Sequence, residues 1–272
     1  MPNAGQADHE VEVELTGGTA NRGLVVRVGE TVRRPRPAAP AGVQALLQHL
    51  ERVGFDGAPR HLGQDENGRD VLSYVDGDVP IAPHPAWALT DDALVSVAAL
   101  LRRYHRAAAS FDPTPYDWPT TVPSPYRGPL VTHNDPNLDN VVFRGGAAAA
   151  LIDFDLASPG SPLWDVALAA RLWVPLRDPS DVPDDLASRA GHRLRLFAEG
   201  YGLTRPQRRR LARAIVTTHG WCYDIVRAGA EQGRPGYQQY WTPSAQEHDA
   251  RGRQWLEHNV DCLAAALLAP TS

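Results

Sequence analysis

Short runs of alternating polar and apolar residues near the start of the chain predict a small antiparallel sheet. Over residues 11–36, the segments VEVEL, LVVRVG and TVRRP are separated by the loop GGTANRG and the turn GE, a pattern typical of strands joined by hairpins. A second hairpin is predicted at residues 61–75, with its turn at ENG. Between the two hairpins, apolar residues three and four apart predict a helix over residues 43–55. Its buried face should consist of Val43, Leu46, Leu47, Leu50 and Val53.

Helical periodicity dominates after a Pro- and Gly-rich segment at residues 76–85. Thr90, followed by two aspartates, predicts a helix N-terminus. The segment VVFRGGAAAALI interrupts the helical pattern as a hairpin that turns at RGG. Further helices are predicted at about 164–176, 184–200, 205–230 and 244–267. We therefore expect an α+β fold, with a small β-rich N-terminal lobe at residues 1–77 and a larger, mostly helical C-terminal lobe at residues 78–272.

The most unusual polar pattern is VTHNDPNLDNVVFRGGAAAALIDFD at residues 131–155, where four aspartates and three asparagines occur among apolar residues. When the hairpin folds back on itself, Asn140 and Asp153 come within a residue or two of facing each other, and Asp135 lies in the loop just before. Mg²⁺ takes oxygen ligands and leaves room for phosphate oxygens. One Asp and one Asn for the metal, with another Asp for a hydroxyl proton, are the minimal set for phosphoryl transfer.

Two simpler interpretations of this stretch compete with the metal site. The alternation of Asp135, Asn137 and Asp139 imitates the start of an EF-hand loop. However, its sixth position would be Asn140 instead of Gly and its twelfth Gly146 instead of Glu, which excludes that motif. The other interpretation is a polar turn that caps a hairpin. The IDFD segment at hairpin distance favours the metal site over this turn.

Composition narrows the classes of partner. The 272-residue chain has a net charge of -5 and a pI near 6.0, which argues against a nucleic acid or an anionic membrane as partner. No apolar window is long enough to cross a bilayer, and the first residues lack a signal-peptide pattern, so a cytoplasmic location is expected. The two cysteines, Cys222 and Cys262, have no disulfide or metal-ligand spacing.

The chain contains no lysine, and all 27 basic residues are arginine. This excludes Schiff-base catalysis on lysine and the lysine of a G-K-[ST] phosphate loop. It also excludes any lysine contact to a nucleotide phosphate.

The segments HNDPNLDN at residues 133–140 and IDFD at 152–155 resemble the catalytic loop H-x-D-x-x-x-x-N and the metal motif of the aminoglycoside phosphotransferase family. The resemblance continues in YH at residues 104–105 and in SPLWD, whose Asp165 matches a structural aspartate. It implies a protein-kinase-like bilobal fold and an ATP- or GTP-dependent enzyme with Mg²⁺ as cofactor. Such an enzyme moves the γ-phosphoryl group to a hydroxyl of a small molecule, such as an aminoglycoside or another antibiotic.

The resemblance also implies roles for single residues. Asp135 would act as the catalytic base or orient the acceptor hydroxyl, together with Asn140 of the same loop. Asn140 and Asp153 would hold Mg²⁺, with Asp155 as an additional ligand, and His133 would brace the loop. The expected catalysis consists of positioning and charge stabilisation of the γ-phosphoryl group.

For the nucleotide, the resemblance places Gly18 and Thr19 in the loop that covers the phosphates, and Ser73 and Val75 at the hinge beside adenine. Kinase-like proteins bind the α- and β-phosphates with a lysine on the third strand, paired with a glutamate on the next helix. Arg34 in TVRRP is the candidate replacement for this lysine. Its guanidinium can bind phosphate in a bidentate manner but is not equivalent to an ammonium group.

The glutamate partner of the missing lysine is also absent from the sequence. Val43 occupies the helix position where it is expected, and Glu51 lies too late in the chain. If Arg34 faces the phosphates, Arg33 should point to the opposite face of the sheet. Either the phosphate site has been rebuilt around arginine, as the intact catalytic motifs favour, or the chain is a nucleotide- or ligand-binding module that has lost catalysis.

The acceptor is the least defined partner. Acidic residues on the C-terminal helices receive cationic antibiotics in the family, so a cationic hydroxylated acceptor is expected by resemblance. A kinase of a non-antibiotic metabolite or of a protein remains an alternative. The candidate residues for substrate binding are Asp224, Glu231, Glu257 and Asp261, with Glu247 and Asp249 as further acids.

Overall fold

A five-stranded antiparallel sheet forms the first part of the structure, a computed structural model that describes residues 11–15, 21 and 23–269. The strands are β1 (Val13–Glu14), β2 (Val26–Val28), β3 (Thr31–Arg34), β4 (His61–Gln64) and β5 (Asp70–Ser73). Their order across the sheet is β1-β2-β3-β5-β4. The β3–β5 pairing sets Arg34 opposite Asp70 at the end of the sheet.

Helix α1 (Pro40–Arg52) connects β3 to β4. Val43, Leu46 and Leu47, together with Leu50, are buried in the core as the periodicity predicts. The prediction is wrong for Val53, which is 47% exposed. The helix ends one residue earlier, so Val53 no longer follows the helical spacing that would turn it inward.

The rest of the chain is mostly helical. Helix α2 (Asp91–Ala108) begins where predicted, because the Thr90 hydroxyl oxygen accepts a hydrogen bond from the Ala93 backbone N–H at 3.2 Å. The later helices are α3 (Pro162–Trp173), α4 (Asp184–Ser188), α5 (Ala190–Tyr201), α6 (Arg205–Glu231), α7 (Pro235–Tyr240) and α8 (Pro243–Leu268).

Two features of these helices differ from the prediction. The single helix expected at 184–200 is divided at Arg189, whose N–H closes a turn onto the Leu186 carbonyl instead of continuing the helix. Helix α7 was not predicted, because its six residues are too few to show a periodic pattern.

Two small sheets position the polar stretch between α2 and α3. Strand β6 (Leu130–Thr132) pairs with β9 (Ser158–Gly160), and β7 (Val141–Arg144) pairs with β8 (Ala147–Leu151). The β7–β8 hairpin turns at two glycines with φ of 58° and 82°, the conformation that a tight two-residue turn requires. Just beyond the paired strands, the Ile152 N–H donates to the Asn140 carbonyl at 2.9 Å. The hairpin predicted from RGG is therefore confirmed.

The segment between the two parts of the fold is fixed against β7. Asp78 and Phe143 exchange backbone hydrogen bonds of 2.9 and 2.8 Å. Gly77, with φ of 141°, packs so closely that an added Cβ atom would collide with the carbonyl oxygen of Phe143. In the described part of the chain no helix is both long and apolar enough to span a bilayer. The expected α+β architecture, with a β-rich N-terminal part and a helical C-terminal part, is confirmed.

Substitution of Gly77 by alanine should destabilise the protein by about 2–4 kcal/mol, because it combines an unfavourable backbone conformation with a backbone collision. Gly68→Ala is the matched control. Gly68 also has positive φ, at 74°, but nothing lies within 4 Å of an added Cβ, so its cost should be about 1–2 kcal/mol. Urea denaturation measures both free energies of unfolding. Equal costs would show that the Gly77–Phe143 approach is not a constraint.

Candidate active site

His133 links the loop of Asp135 to the segment that carries Asp153. Its Nε2 lies 3.0 Å from the Ile152 carbonyl oxygen, and its Nδ1 lies 3.3 Å from the Asp135 backbone N–H. Burial lowers the pKa of His133, so the ring is neutral at pH 7. Nδ1 accepts from an N–H in this geometry, which leaves Nε2 as the protonated nitrogen that donates to Ile152. This arrangement fits the bracing role expected for His133.

Asp165 lies under the same loop, on the first turn of α3. One carboxylate oxygen accepts from the His133 backbone N–H at 2.8 Å and lies 3.0 Å from His105 Nε2. The other accepts from the Asn134 backbone N–H at 2.9 Å. Burial alone would raise the pKa of Asp165, but the hydrogen bond and charge of His105 and the contacts to His133 lower it. The carboxylate thus holds Asn134 in its left-handed conformation, with φ of 65°.

Asp135 projects from this loop with both carboxylate oxygens bound by amides. Oδ1 accepts from Asn137 Nδ2 and Oδ2 from Asn140 Nδ2, each at 3.0 Å. Burial, together with the negative charges of Asp153 and Asp139, raises the pKa of Asp135 to about 8. A carboxyl group with a pKa near neutrality is suited to take a proton from a hydroxyl.

Arg34 is buried and forms ion pairs with both carboxylates of the IDFD segment. Its Nη1 lies 3.1 Å from Asp153 Oδ1, and its Nη2 lies 2.5 Å from Asp155 Oδ1. Burial opposes the charge of Arg34, but Asp155 and Asp153 outweigh it and raise the pKa of the guanidinium. Arg33 lies on the other face of β3, 3.9 Å from Asp65. The alternation of neighbouring side chains expected on this strand is therefore present.

Asn21 is a site residue that the sequence pattern does not indicate. Its side-chain amide donates to Asp155 Oδ2 at 2.9 Å, so it connects the loop GGTANRG to the IDFD segment. Gly18 and Thr19 of this loop lie outside the described residues. The position of Asn21 within the loop was the available signal, but a lone asparagine in a polar loop is not specific.

The donor set around Asn140 and Asp153 fits a magnesium ion. The Asn140 amide nitrogen donates to Asp135, while its side-chain oxygen accepts no hydrogen bond from the part of the chain described here. Within the described residues, the oxygens of Asp153 and Asp155 are bound by Arg34 and Asn21. Residues 11–15, 21 and 23–269 contain no group of three or more His, Cys, Asp or Glu arranged to hold a metal. Mg²⁺ needs fewer protein ligands, because water and phosphate oxygens complete its octahedron.

Two cavities meet at these residues. One, of about 410 Å³, is lined by Arg34, Ser73 and Val75, and the other, of about 380 Å³, by Asp135 and by residues of α3, α6 and α7. Three residues line both cavities: Asp139, Asn140 and Asp153. The proposed metal ligands therefore lie at the boundary of the two spaces.

The acidic residues expected to bind the acceptor lie elsewhere. None of them lines the cavity beside Asp135: Asp224, Glu231, Glu257 and Asp261. Asp224 instead pairs with Arg227 at 2.7 Å on an exposed face of α6. Helical periodicity gives no information on which polar face of α6 or α8 turns toward the loop of Asp135. Val43, at the position expected for the glutamate partner, is a core residue.

Comparison with known proteins agrees with this geometry. A model of the phosphotransferase enzyme family matches residues 117–201, which include the Asp135 loop, the IDFD segment and Asp165. The trifolitoxin immunity protein of Rhizobium leguminosarum bv. trifolii is 32% identical over 278 aligned residues, covering 94% of this chain and 98% of that protein.

Two solved structures have the same fold. A choline/ethanolamine kinase family protein from Mesorhizobium loti superposes with a TM-score of 0.65 and 16% identity, over 96% of this chain and 93% of the other. Aminoglycoside 2'-phosphotransferase-IIIa, in its GDP complex, gives a TM-score of 0.57 and 15% identity, over 93% of each chain.

The fold and the loop that carries Asp135 define a phosphotransferase of kinase-like architecture that uses an alcohol group as acceptor. The chain belongs to the phosphotransferase enzyme family, which includes the aminoglycoside phosphotransferases that its motifs resemble.

Replacement of Asp165 by alanine should lower the free energy of unfolding by about 3–5 kcal/mol, because it leaves two buried N–H groups and His105 without their acceptor. Asp92→Ala removes an exposed acid from α2 and should change stability by no more than about 1 kcal/mol. Urea denaturation at neutral pH measures both. Similar values for the two variants would contradict the role of Asp165.

The stability difference between wild type and Asp165→Ala should also depend on pH. The folded state lowers the pKa of Asp165. The contribution of Asp165 to stability is therefore present above its pKa in the unfolded chain, about 4. It is lost as the pH falls through the folded-state value. The difference in stability between wild type and Asp165→Ala should therefore shrink below about pH 4. A difference that stays constant through this range would contradict the assignment.

Proposed function

We propose that the protein transfers the γ-phosphoryl group of ATP or GTP, with Mg²⁺, to a hydroxyl group of a small molecule. One observation carries this proposal. Arg34 lines only the first cavity, Asp135 only the second, and Asn140 and Asp153 line both. A nucleotide in the first cavity would direct its phosphates toward the shared residues, and an acceptor in the second would meet them beside Asp135.

The residues of the chain suit an in-line transfer. Asp135 takes the proton of the acceptor hydroxyl while the hydroxyl oxygen forms a bond to the γ-phosphorus. The bond between this phosphorus and the β-phosphate oxygen breaks. Arg34 exchanges at least one of its carboxylate partners for phosphate oxygens. Asn140 and Asp153 would hold Mg²⁺, which when bound neutralises charge on the phosphate oxygens. Ser73 and Val75 would lie beside the adenine or guanine base of the nucleotide.

The acceptor we propose is an antibiotic or toxin that phosphorylation inactivates. The support is the name of the relative from Rhizobium leguminosarum, an immunity protein that aligns over nearly the whole chain. An aminoglycoside is a weaker candidate than the motifs alone imply, because the acids expected to bind it do not line the cavity of Asp135.

A second candidate function, a nucleotide-binding module without catalysis, is favoured by the contacts of Arg34. Its guanidinium pairs with both Asp153 and Asp155, the carboxylates proposed for the metal. If these ion pairs persisted with nucleotide present, neither carboxylate would be fully available to Mg²⁺. The two functions differ in whether nucleotide binding depends on magnesium.

Nucleotide-dependent stabilisation tests the proposal. At about 100 times its dissociation constant, a nucleotide should stabilise the wild-type fold by roughly 2.7 kcal/mol, and this effect should require Mg²⁺. Asp153→Ala should lose the magnesium-dependent part, because a metal ligand is gone. Asp135→Ala should retain it, because Asp135 does not line the nucleotide cavity. Thermal denaturation with ATP or GTP, each with and without Mg²⁺, measures the three proteins.

Transfer itself is measured by mass spectrometry of hydroxylated antibiotics incubated with protein, nucleotide and Mg²⁺. Asp135→Ala should reduce the rate of phosphoryl gain by about 10²-fold or more. Binding without Mg²⁺ dependence would favour the module without catalysis. Absence of stabilisation by either nucleotide would contradict both candidates, and near-normal transfer by Asp135→Ala would contradict the assigned base.

A further inference from the structure

The cavity beside Asp135 has two arginines in its wall, which the sequence analysis did not single out. Arg171 lies on the third turn of α3, and Arg177 lies just after this helix. The opposite walls come from α6 and α7 and are rich in aromatic side chains: Trp221, Tyr223, Tyr237 and Tyr240. The space therefore combines flat apolar surfaces and two cationic groups with the carboxylates of Asp135, Asp139, Asp153 and Asp155.

Neither arginine forms an ion pair with a carboxylate within the described residues, although the charge of Asp135 acts on Arg171 and that of Asp181 acts on Arg177. Arg171 donates from Nη2 to Cys222 Sγ at 3.2 Å, a weak acceptor, and its buried Nε has no hydrogen-bond partner. The Arg177 side chain forms no hydrogen bond or ion pair with any residue of the structure described here. Burial and the charge of Arg171 both lower the pKa of Arg177, so the two cations lie close enough to repel each other.

Two guanidinium groups with unfilled donor positions in a partly buried wall are stabilised when an anion binds between them. Among the described residues, no nearby carboxylate accepts a hydrogen bond from either arginine, although the charge of Asp135 acts on Arg171. Asp153 and Asp155 pair with Arg34, and Asp135 is held by Asn137 and Asn140. The guanidinium fork matches the two oxygens of a carboxylate or phosphate.

We propose that Arg171 and Arg177 form an oxyanion subsite, and that the acceptor carries a carboxylate or phosphate group in addition to its reactive hydroxyl. This inference rests on the proposed function, since it takes the cavity of Asp135 as the acceptor site. The aromatic walls favour a ring or other flat apolar portion between the two polar groups.

The oxyanion could come from the acceptor or from the nucleotide being cleaved. The acceptor is favoured by the placement of the arginines, because neither of them lines the cavity that contains Arg34, Ser73 and Val75. The nucleotide as source predicts instead that loss of Arg177 weakens MgATP binding. An experiment on this subsite must therefore distinguish the two sources.

Cys222 provides a reporter that requires neither nucleotide nor acceptor. Its thiol lines the cavity and contacts Arg171. Iodoacetate and iodoacetamide form the same S–C bond with release of iodide, but only iodoacetate carries a carboxylate. Burial raises the pKa of Cys222 and slows both reagents equally, so the ratio of their rate constants reports the preference for an anion.

Rates at Cys222 and at the exposed Cys262 are measured by mass spectrometry of tryptic peptides. The iodoacetate-to-iodoacetamide ratio at Cys222 should fall about tenfold or more in Arg171→Gln/Arg177→Gln, because positively lined clefts raise anion encounter rates by 10–10³. The ratio at Cys262 should not change. Arg209→Gln, which removes an exposed arginine of α6, is the matched control and should leave both ratios as in wild type.

Three outcomes would overturn the proposal. An unchanged ratio at Cys222 in the double variant would show that the arginines do not attract anions into the cavity. Reaction of Cys222 with iodoacetamide but not with iodoacetate, while Cys262 reacts with both, would show that the cavity does not admit a small anion. A loss of MgATP stabilisation in Arg177→Gln would assign the subsite to the nucleotide. Since alkylation needs no nucleotide, it can succeed or fail independently of the proposed phosphotransferase activity.

Discussion

The geometry of the candidate active site depends on the hydrogen bonds that the buried carboxylate of Asp165 accepts. It accepts the backbone N–H groups of His133 and Asn134 and a ring nitrogen of His105. Without this acceptor, two N–H groups of a tight loop would be buried and unsatisfied. With it, the chain can pass through a left-handed residue and present Asp135 to the cavity. One acidic side chain on the first turn of α3 thus holds the loop of Asp135 in place.

Charge is the second constraint, and the absence of lysine decides how the protein satisfies it. Four aspartates lie within one short stretch, and two of them pair with a single buried arginine from β3. A guanidinium can hold two carboxylates at once through its separate nitrogens, whereas an ammonium group is a compact point charge. Arg34 therefore stabilises both carboxylates, and its guanidinium also has the geometry to bind phosphate oxygens.

Features encoded locally could be predicted from the sequence. The spacing HNDPNLDN and the RGG turn bring Asn140 beside the IDFD segment, because a tight hairpin leaves few alternative registers. The alternation of a strand separates Arg33 from Arg34. In contrast, Arg171 and Arg177 gain their setting only when α3, α6 and α7 assemble around one space. The sequence around Arg171, ALAARLW, does not show whether its side chain will line a cavity or pair with a carboxylate.

The same distinction separates the residues expected to bind the acceptor from those of the Asp135 loop. Phosphoryl transfer requires the same few groups whatever the acceptor is, so their spacing can be read from the chain. The acceptor is recognised by walls built from distant helices, and these walls can change sign without any change at Asp135. Here the acids expected on α6 and α8 do not line the space beside Asp135, whereas two arginines and several aromatic rings do. The walls of this space thus come from the helical part of the fold, independently of the groups at its boundary with the sheet.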